Sequence, residues 1–291
     1  MSEIKYSICV CNYNMGGTIV RAMESVLNQV DDNCEVLVID DGSDDNSLEK
    51  LAELSERYPT FRYIPLKRDR KRLLGETRNI SIREARGTYV IPQVDCDDVY
   101  DICLTDFIMV FHQLEQTIGK DIYLKGDKLN MGRKDFLLEY GPYRNTFKED
   151  RDMWARLAEA EVFIPIFHKR IFTRLPKTKK DKIHRFLYKT WAHLLADYRS
   201  GLSFFNPFYR LFVRKTDRSM KVKMLRCFMT PFAFFIAQRM EPLPVPVDKQ
   251  TGWFKEYWQR QGGSFSQLMQ KHGGTADFEC LSDKGKHIFQ D

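Results

Sequence analysis

Over the first hundred residues, short apolar runs alternate with stretches whose apolar residues recur at helical spacing. A mainly parallel sheet wrapped by helices buries that pattern, and few other folds do. Residues 6–11 (YSICVC) read as a strand, 12–17 as a break, and 18–29 as a helix carrying Ile19, Met23, Val26 and Leu27. Residues 35–40 (EVLVID) read as a second strand, ending in the turn Asp41-Gly42-Ser43; Asp44 or Asp45 then caps a helix with Leu48, Leu51 and Leu54. A third strand is predicted at 61–65, a helix at 75–86, and a fourth strand at 88–94, where Pro92 marks an edge or a bulge. The fold class is α/β.

Beyond residue 100 the pattern predicts helices at 104–116 and from Glu149, an apolar run at 162–167, and a basic amphipathic helix. In that helix Ile183, Leu187, Trp191, Leu194, Leu195 and Tyr198 share a face. The domain expectation is 1–168 catalytic, 169–240 basic and helical, and 241–291 a tail with Pro242, Pro244 and Pro246, weakly structured or docking. Charge divides the same way. Residues 1–150 carry a net −7 and 151–291 a net +13, with 17 basic residues against three acids between His168 and Arg226. Seven cysteines without C-x-x-C spacing exclude a zinc site or disulfide framework and fit a reducing compartment. The polar amino terminus indicates no export signal. The most apolar stretch, 227–238, is uncharged for only 12 residues, too few to span a bilayer. The six histidines have no metal spacing and read as structural.

Chemistry concentrates where strands end, which is where open α/β sheets bind ligands. Asp40 and Asp41 close the second strand; Asp95, Asp97 and Asp98 follow the fourth. Carboxylates gathered on one rim hold a cation or bind a polar ligand, and hard oxygen donors without His or Cys point to Mg²⁺ or Mn²⁺. Either stretch alone reads equally as a capping turn or a solvated loop; two on alternate βα junctions read as a site.

The segments SICVCNYNMGGTIVRAMESVLNQ, EVLVIDDGSDDNS, GETRNISIREARGTYV, VDCDD and KEDRDMWARL, in this order over about residues 5–165, resemble family 2 inverting glycosyltransferases of the GT-A fold. The resemblance implies a Rossmann-like, mainly parallel sheet flanked by helices, here with a helical, basic C-terminal extension. It implies a nucleotide-sugar donor, a UDP-sugar by the look of Tyr13 and Asp41: Tyr13 stacks on the base, Asp41 accepts its ring N–H, and Asp40 lies beside them. Asp95 lies near the ribose or metal, Asp97 binds the divalent cation, and Arg78 sits near the phosphates or forms a structural ion pair. Asp150 is the implied catalytic base, with Glu149 and Asp152 the alternative assignments; Trp154 and Arg156 pack and pair. Cys96 stands where the family has a small residue. No QxxRW motif follows Asp150, which favours single addition over processive synthesis.

The basic half mixes Lys and Arg with aromatics, as interfacial helices do on anionic lipid. Its expected partner is an anionic membrane surface bearing a lipid-linked, polyprenyl-phosphate saccharide acceptor, with Lys177, Lys179, Lys180 and Arg185 facing the pyrophosphate. A solvated cap over the sheet is the other reading of this run, and nucleic acid is discounted for want of a motif. The expected location is the cytoplasmic face of a membrane. The alternatives are a soluble glycan or protein acceptor, and a non-catalytic scaffold of the same fold. A sugar-1-phosphate nucleotidyltransferase is set aside because its Gly-rich amino-terminal loop is missing.

Overall fold

The computed structural model describes residues 3–101, 103–146, 148–176, 179–199, 201–206, 208–209, 220–240, 242 and 247–290. Two compact units emerge. The first comprises Met1–Asn145, Glu149–Pro176 and Tyr257–Asp291; the second comprises Thr146–Lys148 and Lys177–Glu256.

The first unit holds a seven-stranded sheet ordered β3-β2-β1-β4-β7-β6-β8. Strands β1 (Tyr6–Asn12), β2 (Cys34–Asp40), β3 (Phe61–Pro65) and β4 (Tyr89–Val94) are parallel; β7 (Asn130–Arg133) runs against β4 and β6 (Tyr123–Lys125), while β8 (Phe163–Pro165) runs with β6. Strand β2 is buried along its whole length, as a near-continuous apolar run between helix layers must be. Helices α1 (Ile19–Leu27), α2 (Ser47–Arg57), α3 (Leu74–Glu84) and α4 (Leu104–Ile118) cover the sheet, each within a few residues of its sequence-based bounds. Asn46 is the N-cap of α2, and Asp45 stabilises the same end by accepting the Ser47 N–H at 2.9 Å.

Pro92 is not on an edge, since β4 lies between β1 and β7. The bulge is there instead. Ile8 pairs with Ile91 but Val10 with Val94, so β4 carries one extra residue, and Gln93 adopts φ 73°. The extra residue takes the missing Pro92 N–H out of the ladder and re-aims the chain as it enters Asp95.

After α4 come α5 (Lys134–Tyr140) and α6 (Glu149–Glu159), and β5 (Asp98–Tyr100) pairs antiparallel with β9 (Phe172–Arg174). Residues 257–290 are a docking piece rather than a loose tail. Helices α10 (Phe265–Lys271) and α11 (Asp283–Phe289) place Phe265, Leu268, Met269, Leu281, Ile288 and Phe289 in the main core.

In the second unit, α7 (Lys179–Arg199) and α8 (Met220–Ala237) share a small core of Leu194, Leu195, Tyr198, Leu202, Ala233 and Ala237. Asp197 is buried there and is held by Lys148 and Arg226. Helix α9 (Val247–Gln261) leads from this unit into the first. Among the described residues, no helix is long and apolar enough to cross a membrane. Lys177 lies outside the described residues, as do Pro244, Pro246 and the side chains of Lys179, Lys180, Lys182 and Arg185.

Candidate active site

The site forms at the carboxyl ends of β1, β2 and β4, where two turns lock together. Asp40 ends β2 fully buried. Its carboxylate accepts the Gly42 and Ser43 N–H groups at 3.1 and 2.9 Å, and Asn12 Nδ2 and Ser43 Oγ at 2.6 Å each. With its lone pairs filled, Asp40 builds the turn from beneath and offers no face to a ligand. Asn14, at φ 53°, donates its amide N–H to the Asp44 carboxylate and accepts the Asp44 backbone N–H at its Oδ1, across the turns. Gly42, at φ 74°, runs so close to Arg68 that a Cβ would lie 2.6 Å from its backbone nitrogen.

Above this base stand Tyr13 and Asp41. Tyr13 is 43% exposed, and the Arg68 guanidinium lies over its ring at 4.3 Å from the centroid. Arg68 also pairs with Asp41 at 2.6 Å, and Arg72 grips the other Asp41 oxygen at 2.6 Å. The aromatic face and the carboxylate expected for a base therefore share one arginine, Arg68, while Arg72 holds the carboxylate from its other side.

Asp95, Asp97 and Asp98 each turn an oxygen into one cluster, all within 4.8 Å of one another. Arg174 on β9 binds Asp98 bidentately at 2.7 Å per bond and reaches Asp95 at 3.1 Å; Lys128 reaches Asp95 at 2.7 Å. Burial works against the Asp95 charge, but Lys128, Arg78 and Arg174 outweigh it and hold its pKa below the ordinary value. The set consists of hard carboxylate oxygens and fits Mg²⁺ or Mn²⁺. Cys96 stays clear of it. Its thiol donates to the Cys11 carbonyl, and burial, with Asp95, Cys11 and Asp97, pushes its pKa up, so the sulfur remains a protonated packing group.

Arg78 links this cluster to α6. It pairs with Glu149 at 2.7 Å and lies over the Tyr143 ring. Burial opposes its charge, yet Glu149, Tyr143, Cys11 and Asp150 keep its pKa raised. Asn79 of the same helix exchanges two 2.7 Å bonds with the Tyr143 backbone. Glu149 itself is buried, and burial raises its pKa against the pull of Arg78. Of the three acids opening α6, Glu149 is taken by Arg78 and Asp152 by Arg144 and Arg156. Asp150 forms no ion pair among the described residues; its only hydrogen bond there comes from the Arg151 N–H. Trp154 packs on Phe163 and Trp258, and Arg156 binds the carbonyls of Tyr140, Gly141 and Pro142.

Sequence reasoning missed the cations: Arg68, Arg72, Lys128, Arg174 and Lys125. Lys125 ends β6 on the same rim, with its Nζ 5.0 Å from the Trp154 ring centroid, and burial lowers its pKa to about 8. The signal that could have found them is electrostatic. Buried carboxylates at this density require neighbouring positive charge.

The family description Glycosyl transferase family 2 matches residues 7–156. Chondroitin synthase from Escherichia coli is 38% identical over 106 residues, 35% of this chain and 15% of that protein. Cholesterol galactosyltransferase from Borreliella burgdorferi is 28% identical over 150 residues, 50% of this chain and 40% of that protein. The chain thus spans less than half the length of either relative. Among solved structures, the mannosyltransferase PcManGT from Pyrobaculum calidifontis, in complex with GDP-Man and Mn²⁺, superposes with a TM-score of 0.51 at 15% identity. It covers 88% of this chain and 83% of its own, a likeness of fold.

Proposed function

Because the chain belongs to glycosyl transferase family 2, and is on that ground a glycosyltransferase using a nucleotide-sugar, we propose that it moves one sugar with inversion from a UDP-sugar to a lipid-linked glycan or polyprenyl phosphate at the cytoplasmic face of a membrane. The observation that carries this reading is the single rim on which Tyr13 and Asp41, the Asp95–Asp97–Asp98 cluster and the Arg78–Glu149 pair at the head of α6 lie.

In this reading Tyr13 stacks on the base once the Arg68 guanidinium yields its face, and Asp41, steadied by Arg72, accepts the ring N–H. Asp95 and Asp97 hold Mg²⁺ or Mn²⁺, which when bound neutralises charge on the leaving diphosphate. Arg174 and Lys128 lie against the same carboxylates and are placed to turn to the phosphates. Arg78 fixes Glu149, and so the start of α6. Asp150, without an ion pair among the described residues, takes the acceptor hydroxyl proton as that oxygen attacks the anomeric carbon opposite the leaving group. PcManGT, with GDP-Man and Mn²⁺, supports a metal-bridged donor, and the Borreliella relative, a cholesterol galactosyltransferase by name, supports a lipid acceptor. The net +14 over residues 168–226 supports an anionic surface as the place of reaction.

Calorimetric titration with UDP, GDP and CDP, with and without Mn²⁺, tests the donor half. UDP should bind in a metal-dependent way, and Asp97→Ala should remove the metal-dependent part. Asp150→Asn should keep nucleotide binding and lower transfer about 10²- to 10⁴-fold. Binding of none of the three nucleotides would put a non-catalytic scaffold in place of the enzyme. Transfer to a soluble acceptor without lipid would move the acceptor off the membrane.

A further inference from the structure

Helix α8 is apolar on two faces, and among the described residues its own unit covers only one. The inner face packs on α7: Ala233 and Ala237 are buried in the shared core with Met229 and Phe234 against it, and Thr230 accepts a hydrogen bond from Tyr198 Oη at 3.2 Å. On the outer face Met220, Met224, Phe228, Phe232, Phe235 and Ile236 recur at spacings of three and four and stand open, Phe228 72% and Phe235 66% exposed. Phe205 is similarly exposed, and its neighbour Phe204 packs on Phe234, so the patch runs on past the helix.

A soluble surface seldom presents so long an apolar stripe uncovered. Lipid is the occupant that the charge favours. Lys221 and Lys223 open the helix and Arg239 follows it, close to a stretch, residues 168–226, that carries net +14, so a second copy would bring like charges together whereas an anionic leaflet complements them. The helix is not long and apolar enough to cross a membrane, which leaves it lying along one.

We propose that α8 is an in-plane membrane wedge: Met224, Phe228, Phe232 and Phe235 enter the acyl region of an anionic leaflet, and the flanking Lys and Arg stay among the headgroups. This rests on the lipid-borne acceptor above and adds the element that meets the bilayer. Insertion makes the attachment resist salt, which attraction by the basic run alone does not.

The full chain is sedimented with vesicles of phosphatidylcholine and phosphatidylglycerol at about 0.05 M and about 1 M NaCl. Wild type should stay bound at both, whereas F228S/F232S/F235S should be stripped at high salt, its partition falling about a hundredfold. The three rings lie outside the α7–α8 core, so circular dichroism should show the variant's helices intact. A second probe, Phe232→Trp, should lose fluorescence to lipids brominated on the acyl chains. Equal salt-resistant binding by the triple variant, or an unquenched Trp, overturns the wedge while leaving the membrane reading standing. Failure of wild type to bind any vesicle, with UDP binding intact, removes the lipid-borne acceptor itself. A dimer without lipid that the triple variant disperses assigns the stripe to a second copy and overturns the wedge.

Discussion

Asp98 is wholly buried against two cations, Arg174 at 2.7 Å and Lys128 at 3.8 Å. Arg174→Ala removes the bidentate partner of Asp98 and leaves it Lys128 alone, and since the arginine is partly solvated the cost should be about 2–3 kcal/mol in urea unfolding. The same change opens the cluster to a divalent cation, so Mn²⁺ should raise the melting temperature of the variant more than that of wild type. An identical Mn²⁺ response in both would show that arginine and metal do not compete. Lys125 presents the converse case. Burial, with Lys128 opposing its charge and Asp127 and Asp150 supporting it, lowers its pKa from 10.5 to about 8. Below about pH 8 the ammonium is charged folded and unfolded, and the fold bears the whole cost. Between there and about 10.5 the unfolded chain holds a proton that the folded chain has released, so stability climbs with pH. Lys125→Met should therefore be more stable than wild type by about 3 kcal/mol at neutral pH, a gap that closes toward pH 10.5. Equal stability at pH 7 would mean that the amine is solvated. Lower transfer alongside higher stability would show that the site retains this lysine for function.

At the scale of elements, what could be read in advance was local. The bounds of β1 to β4 followed from apolar runs stopped by turn residues, and α6 followed from a helical stripe behind three acids, because in each the deciding residues are neighbours in the chain. Tyr13, Asp41, Asp95, Asp97 and Asp150 could be put forward as site candidates for the same reason, each sitting inside a short motif. Arg174 meets Asp95 across 79 residues and Lys128 across 33, and no local pattern encodes either meeting. Asp40 looked like a ligand residue because its type is right, whereas its burial depends on where Asn12 and Ser43 fall in three dimensions. Pro92 was ambiguous because the sequence cannot tell a strand's edge from a bulge within it. One element contact ties the two halves of the site together. Gly75 in α3 lets the segment before α6 pass so closely that a Cβ would meet the Arg144 carbonyl at 2.5 Å and Glu149 Cβ at 3.0 Å. Gly75→Ala should push the head of α6 away, costing about 1–3 kcal/mol, with kcat falling more than donor affinity. Unchanged kcat with the expected loss of stability would separate the α3–α6 contact from the placement of Asp150.

On the scale of the whole molecule, the acidic amino-terminal half does not complete its own core. The last 30 or so residues do, although between them and the sheet the chain passes through the second unit. Asp106, buried in α4, receives the Ser282 N–H at 2.8 Å and its hydroxyl at 2.7 Å, and Gly285 passes so close that a Cβ would lie 2.3 Å from the Asp106 carboxyl carbon. A chain ending at residue 262 would strip that carboxylate of its donors, at about 1–3 kcal/mol, and would uncover the places of Phe265, Leu268, Met269, Leu281, Ile288 and Phe289. At about 1.5–3 kcal/mol for each large apolar side chain, the loss reaches the whole stability of an ordinary domain, about 5–15 kcal/mol. The truncated chain should be insoluble, or show no cooperative melt by circular dichroism. Asp106→Ala, which breaks only the polar clasp, should fold and melt about 3–8 °C lower. A soluble truncation with a cooperative melt and metal-dependent UDP binding would show that the sheet and α4 stand without their carboxyl-terminal cover.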